Sequence, residues 1–453
     1  MRAFGVLLFG ISVLLSGCGI KPVQSAGTPD RQCTAIAYPV GIDPPSTEGG
    51  FVEDRFQQAI DAAYASRGNE SLTETPDEAV SDSMLYLSGG SQNGAFGAGL
   101  MSGWAAARTK GPGLPRFRVV TGISTGALQA TYAFLDDTDE IVRRYSITHE
   151  DELLHPLVRQ GLKGGGKGAK LKAALTIARK GAISTLDPLR KQLDTLINPA
   201  LLARVAKEGQ ERRLLVAAVE MDSGEAWVFD LTAAAQKYVE GGGNEAMRTC
   251  YIEALVASSS VPIAAMPVFI DGRMYIDGGA RFGVLSTRLG QALEAQRGKA
   301  ISPAVPNLFV LVNGTLRIGP LCQLKDCPEG TSAPPSSPPG TVPQHGQWSF
   351  DGLAFRSLSV LINQSYRSSV YYATTTSGEF GFIPRFARIE PAVDDWSATI
   401  GLPPGSRERR TCKQWEAQDN RIDTPLEFHP RFMRCLIDYG RHRPEANAWA
   451  ALE

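Results

Sequence analysis

Three short stretches hold residue types that can carry out acyl transfer. The first is Gly122-Ile123-Ser124-Thr125-Gly126, a G-x-S-x-G pentapeptide. A serine on a tight strand-to-helix turn needs small neighbours, because its backbone is strained and its Oγ must project. Glycines two residues to either side let the flanking elements approach. The second stretch is Ser88-Gly89-Gly90-Ser91-Gln92-Asn93-Gly94. Glycine-rich backbone between a strand and a helix can turn its N–H groups toward one point at the positive end of the helix. That is an anion site, and a tetrahedral acyl-transfer intermediate is an anion. The third is Asp277-Gly278-Gly279, after a short apolar run. A carboxylate at the C-terminal end of a parallel strand lies on the edge where α/β sheets keep their sites. Taken singly, the same residues also read as an Asp-Gly turn.

Other chemistries fit less well. The stretch 88–94 lacks G-x-G-x-x-G and has no acidic ribose partner about 20 residues on, which argues against a dinucleotide loop. Gly161-Leu162-Lys163-Gly164-Gly165-Gly166-Lys167 matches G-x-x-x-x-G-K, but Gly168 stands where Mg²⁺ needs a Ser or Thr hydroxyl, and no strand precedes it. The five histidines are His149, His155, His345, His429 and His442. A Ser…Asp…His triad in α/β-hydrolase order would have to use one of the last three. His345 sits in a Pro-rich stretch and the other two in a polar C-terminal region, so all three read as surface residues. No C-x-x-C occurs and no His lies at ligand spacing from a Cys pair, so no metal and no cofactor is expected.

The elements around these stretches follow α/β alternation. Short β-like runs at 84–87 and 117–121 lead into the glycine loop and the serine turn. Helical stretches at 94–107, rich in small residues, and at 127–134 follow them. Further strands are expected at 214–219, 225–230, 274–276 and 386–389. The run 307–313 is continuously apolar, as in a strand buried on both faces. Strand runs separated by helical segments predict a mostly parallel sheet. A helix is expected over 51–67 and another over 348–372, and the tail from 427 to 450 reads as helical.

In this order and context the three stretches resemble the patatin-like phospholipases, a family of lipid acyl hydrolases. The family pattern is G-G-G-x-R/K-G, then the serine elbow, then D-G-A/G, at spacings of the kind found here. Further likeness lies in Gly94-Ala95-Phe96-Gly97-Ala98-Gly99-Leu100 and in Ala257-Ser258-Ser259 ahead of Val261-Pro262; it extends over about 83–285. The resemblance implies a three-layer α/β/α fold and a Ser124–Asp277 dyad without histidine. It also implies an acyl-enzyme and an oxyanion hole of N–H groups at Gly90 and Ser91, aided by Thr125. The chain departs from the pattern at Ser91, where the third glycine belongs, and at Asn93, where the basic residue belongs. Ser91 still offers its N–H if its φ is negative, and the loop loses the help of a cation. The general esterase, the serine protease with the same elbow, and the non-catalytic lipid- or partner-binding protein are the competing readings.

The chain has 453 residues, 43% hydrophobic and 21% charged, which excludes a collagen, a coiled coil or a wholly disordered chain. With 46 basic against 47 acidic side chains it has no charge excess for nucleic acid. Met1 and Arg2 precede an apolar run, and Leu15-Ser16-Gly17-Cys18 closes it. The run is too short to span about 30 Å of hydrocarbon but suits a signal peptide. L-S-G-C resembles the bacterial lipobox, which implies removal of 1–17, acylation of Cys18 and anchorage in the cell envelope. Gly19 favours the outer membrane over retention at the inner one. The expected division is 1–17 signal peptide, 18–82 tether and helix, 83–320 catalytic core, 321–347 Pro-rich insertion and 348–453 C-terminal region. Of the six remaining cysteines, proximity suggests Cys322–Cys327 and Cys412–Cys435. Lys163, Lys167, Lys170, Lys172, Arg179 and Lys180, interleaved with Leu171, Leu175 and Ile177, read as a solvated face or as a lid on anionic headgroups.

Overall fold

The computed structural model describes residues 33–40, 55–65, 80–107, 114–157, 176–177, 180–285, 306–317, 350–379, 381–423, 425–443 and 449–451. The expected signal peptide, Cys18, most of the basic run at 163–180, the Pro-rich insertion, Cys322–Cys327 and His345 lie outside the described residues. In chain order the strands are β1 (Ala37–Pro39), β2 (Val80–Leu87), β3 (Arg116–Ile123), β4 (His155–Pro156), β5 (Ala182–Thr185), β6 (Arg213–Glu220), β7 (Ala226–Asp230) and β8 (Ile263–Ala265). They continue with β9 (Val268–Ile270), β10 (Arg273–Asp277), β11 (Asn307–Val312), β12 (Ile383–Arg388), β13 (Ser397–Ile400), β14 (Glu408–Thr411) and β15 (Ala450–Ala451). The α-helices are α1 (Arg55–Ala65), α2 (Gly94–Ala106), α3 (Thr125–Phe134), α4 (Thr138–Tyr145), α5 (Asp187–Leu196) and α6 (Pro199–Glu208). After them come α7 (Leu231–Glu240), α8 (Glu245–Ser258), α9 (Phe350–Thr376), α10 (Cys412–Ile422) and α11 (Pro430–His442).

Side chains alternate along the central strands, yet both faces are dry. In β2, Leu85 and Leu87 join one apolar cluster, while Met84 and Tyr86 join the other. β6 divides in the same way, with Leu214, Val216 and Ala218 on one face and Leu215 and Ala217 on the opposite one. Helices α2, α3, α7, α8 and α11 cover the first face; α1 and α9 cover the second. Three layers follow, α/β/α, because a strand that is apolar on both faces needs a helix on each.

The sheet runs β1-β7-β6-β3-β2-β11-β12-β15, with β10 on β6 and β9 on β10. Its middle, β6-β3-β2-β11-β12, is parallel, whereas β1, β7, β9, β10 and β15 pair antiparallel. The sheet is therefore mixed, parallel through the strands that lead to the glycine loop and Ser124 and antiparallel elsewhere, including β10, which ends at Asp277. Residues 37–39, expected within a tether, pair with β7 as an edge strand, and Cys33 is bridged to Cys250 in α8. Composition predicts polarity there; a 217-residue bridge to the core is invisible to it. The Cys412–Cys435 bridge forms as expected, joining α10 to α11.

The C-terminal region is not wholly helical. It adds β12 to the sheet, a β13–β14 hairpin, and a non-helical segment at 425–429 ahead of α11. α11 lies on α2 almost backbone to backbone: a Cβ at Gly440 would stand 2.3 Å from the Phe96 carbonyl oxygen, and one at Gly103 would stand 2.3 Å from that of Arg441. The small residues of α2 make this approach possible. No described helix is long and apolar enough to cross a membrane.

Candidate active site

β3 ends at Ile123 and α3 begins at Thr125, so Ser124 alone makes the turn, at φ 53° and ψ −125°. That left-handed strain is sustained because the elements around it are packed too tightly to relax. A Cβ at Gly126 would lie 2.3 Å from the Leu87 carbonyl oxygen, and one at Gly122 would lie 2.4 Å from that of Gly126. The Ser124 N–H donates to Ser258 Oγ at 3.0 Å, and Ser258 Oγ donates to the Ala217 carbonyl at 2.7 Å, tying the turn to α8 and β6. Ser258 belongs to the Ala257-Ser258-Ser259 stretch singled out in the sequence.

Asp277 reaches the same place from the opposite direction. It closes β10, which runs antiparallel to β6, and is not the end of a parallel strand as its sequence context suggested. The β9–β10 hairpin reverses the chain, so the carboxylate arrives head-on against the end of β3. Its main-chain N–H donates to the Ser260 carbonyl at 2.9 Å, and Oδ1 accepts the Gly279 N–H at 2.6 Å. The carboxylate lies near enough to Ser124 to feel its hydroxyl. Only 5% of Ser124 and 3% of Asp277 are exposed. Burial is the main force on the Asp277 carboxyl and pushes it up to about 7; the nearby Ser124 hydroxyl and the hydrogen bond from Gly279 pull it down, and Glu427 nearby pushes it further up. The result is a carboxylate basic enough to take a serine proton near neutral pH.

The glycine loop lies beside this pair. Gly90 has φ 149°, and a Cβ there would stand 1.9 Å from the Asn313 carbonyl oxygen. Ser91 adopts φ 51°, the left-handed value that a third glycine would take, against the negative φ expected for it. The strain costs on the order of 1–2 kcal/mol and is held by a hydrogen bond from Ser91 Oγ to Glu427 Oε1. The loop is braced from below as well: Asn313 Nδ2 donates to the Ser88 carbonyl at 2.9 Å and to Gln129 Oε1 at 3.2 Å. Thr125 opens α3, where the first N–H groups of a helix have no partner within it. Gly89, Gly94, Gly278 and Gly279 are all packed at this junction. The structure thus brings the three sequence stretches to one point.

What the sequence did not reveal is the share taken by the C-terminal region. The carboxylate of buried Glu150 accepts the N–H groups of Leu426 (2.9 Å), Glu427 (2.6 Å) and Phe428 (3.0 Å), fixing that segment against the site. Glu427 then meets Ser91, and its own carboxyl is raised, chiefly by burial. His429 is bound at both ring nitrogens, to Gln92 Oε1 at 2.9 Å and Asn420 Oδ1 at 3.0 Å, and His442 Nδ1 lies 2.8 Å from the Asp438 carbonyl. Neither ring is bonded to Ser124 or Asp277, so these two histidines do not complete a triad.

Ser91, Ser124, Thr125 and Glu427 line one cleft. The rest of its lining is mostly apolar, with Leu128, Leu153, Leu189, Leu193 and Phe428. A serine hydroxyl and main-chain donors in a mostly apolar cleft, with a raised carboxyl beside the serine, suit a carbonyl compound with a hydrocarbon tail.

Residues 85–286 match the family model described as patatin-like phospholipase. Among solved structures, the crystal structure of VipD from Legionella pneumophila is similar over 80% of this chain and 68% of that chain, with 13% sequence identity. The TM-score of that likeness is 0.32. No curated protein matches the chain.

Proposed function

Residues 85–286 form a patatin-like phospholipase domain, and from that premise we propose that the chain is a lipid acyl hydrolase with Ser124 as nucleophile and Asp277 as base. The observation that carries this reading is a strained elbow serine in an apolar cleft with a buried, raised carboxyl beside it. Ser124 Oγ attacks the ester carbonyl carbon as its proton passes to Asp277, and the carbonyl π pair moves to oxygen. The N–H groups of Gly90, Ser91 and Thr125 stabilise that oxyanion. Collapse expels the alcohol, which takes the proton from Asp277 and leaves an acyl-serine. Water, deprotonated by Asp277, then attacks the acyl carbon, and the second collapse returns the proton to Ser124 and frees the fatty acid.

The apolar wall favours a long acyl chain over a peptide, whose backbone would leave polar groups unpaired there. The lipobox-like Leu15-Ser16-Gly17-Cys18 supports attachment to an envelope membrane through an acylated Cys18, beside the substrate. Mass spectrometry of the products from a defined phospholipid tests the reading. Free fatty acid and lysophospholipid are expected from the wild type and neither from Ser124→Ala; equal products from both would overturn it. A fluorophosphonate that leaves Ser124 unlabelled would point instead to a binding protein.

A further inference from the structure

α9 lies outside the family domain, yet it delivers a phenol to the dyad. A Cβ at Gly89, in the glycine loop, would stand 1.9 Å from the Tyr366 hydroxyl and 3.1 Å from Ser124 Cβ. One at Gly279 would stand 2.7 Å from the same hydroxyl and 3.0 Å from Asp277 Oδ1. The hydroxyl therefore occupies a gap that exists only because both positions lack a side chain, and Ser124 Cβ and Asp277 Oδ1 border the same gap. It has no hydrogen-bond partner among the described residues.

The helix that carries it is pinned at this point. Ser369 Oγ, one turn on, accepts the Gly283 N–H at 2.8 Å, and Ser365 Oγ donates to the Arg281 carbonyl. A Cβ at Gly283 would lie 2.8 Å from Tyr366 Cα, so the helix rests directly on the chain that follows Asp277. A rigid support of this kind is what fixes a donor before charge develops, at no cost in reorganisation during the reaction.

We infer that Tyr366 is a catalytic residue that donates a hydrogen bond to the tetrahedral intermediate on Ser124, supplying the side-chain donor that Asn93 does not provide as a cation. This rests on the acyl-hydrolase reading above. Burial, and the nearby Asp277 charge, hold the phenol well above its ordinary pKa, so it remains a donor throughout the working pH range.

Tyr366→Phe removes the donor and keeps the ring. Rates are taken per fluorophosphonate-titrated site, so that any misfolded fraction drops out. The expected result is a fall in kcat of about 100-fold, the usual effect of losing one oxyanion donor, with KM little changed. The loss should be equal for a nitrophenyl ester and an alkyl ester of the same acid, since both form the same oxyanion, and the acid limb of the pH profile should not move. Unchanged kcat would overturn the inference, and so would a loss confined to the alkyl ester, which would mark a leaving-group acid. A shifted acid limb with full rate above it would do the same, since the phenol would then act only by tuning Asp277. Ser124→Ala assayed in parallel separates the two levels: turnover in that variant removes the functional reading itself, whereas its silence beside an unaffected Tyr366→Phe removes the tyrosine alone.

Discussion

Ile123 and Asp277 occupy successive positions along one edge of β6, opposite Ala217 and Ala218. β7 holds the other edge across both positions, so β10 takes over β6 where β3 leaves it. The two strand ends abut, and the residue after Ile123 is brought against the carboxylate by backbone pairing alone.

Loss of either partner should abolish turnover without unfolding the chain. Ser124→Ala and Asp277→Asn are each expected to lower kcat by about 1000-fold or more while circular dichroism is unchanged. A variant with near wild-type ester hydrolysis would remove that residue from the chemistry.

The raised Asp277 carboxyl sets a pH dependence of rate. As a base it must be ionised, so kcat/KM should climb about tenfold per pH unit below about 7 and level off above it. A flat profile between pH 5 and 8, measured with a substrate that does not titrate, would contradict the base assignment.

The same shift acts on stability with the opposite preference. The folded state keeps the Asp277 proton up to about 7, while the unfolded chain releases it near the ordinary 3.8. Stability gained from this group is complete below the lower value and lost as pH rises through the upper one, in total at most roughly 4 kcal/mol. Asp277→Asn should therefore flatten that part of the denaturation profile and exceed the wild type in urea midpoint at pH 8.

Glu427 competes with Asp277 for ionisation. Glu427→Gln keeps an acceptor for Ser91 and removes the charge, so the acid limb of kcat/KM should move to lower pH. Glu427→Ala also frees the strained Ser91, and kcat should fall even on the alkaline plateau. Identical profiles for the two variants would show that the Ser91 contact is idle.

Replacing Cys33 and Cys250 together by serine should cost about 2–5 kcal/mol and loosen β1 from the sheet edge. Chemical denaturation reads the first effect, and proteolysis near residue 40 the second.

The serine elbow, the glycine loop and the aspartate were legible in the sequence because each is a local pattern in which small residues announce a tight turn. Their meeting was not, since it depends on β10 running antiparallel, which follows from the β9–β10 hairpin and not from anything near Asp277. Tyr366, Asn313 and Glu427 were missed for the same reason. Each is unremarkable beside its chain neighbours, and each reaches the site only through pairing or packing across long stretches of chain. Ser91 carried a local clue, a serine where glycine is usual, but its left-handed φ depends on a partner 336 residues away.

The close seating of α11 on α2 has a consequence for biosynthesis. Residues 425–442 emerge from the ribosome long after Ser124 and Asp277, and until they arrive the outer side of α2 stays wet and Ser91 lacks its anchor. A growing chain would thus carry both reacting groups without an assembled site, and a stop codon just ahead of Pro425 should silence the protein as thoroughly as one placed before the elbow.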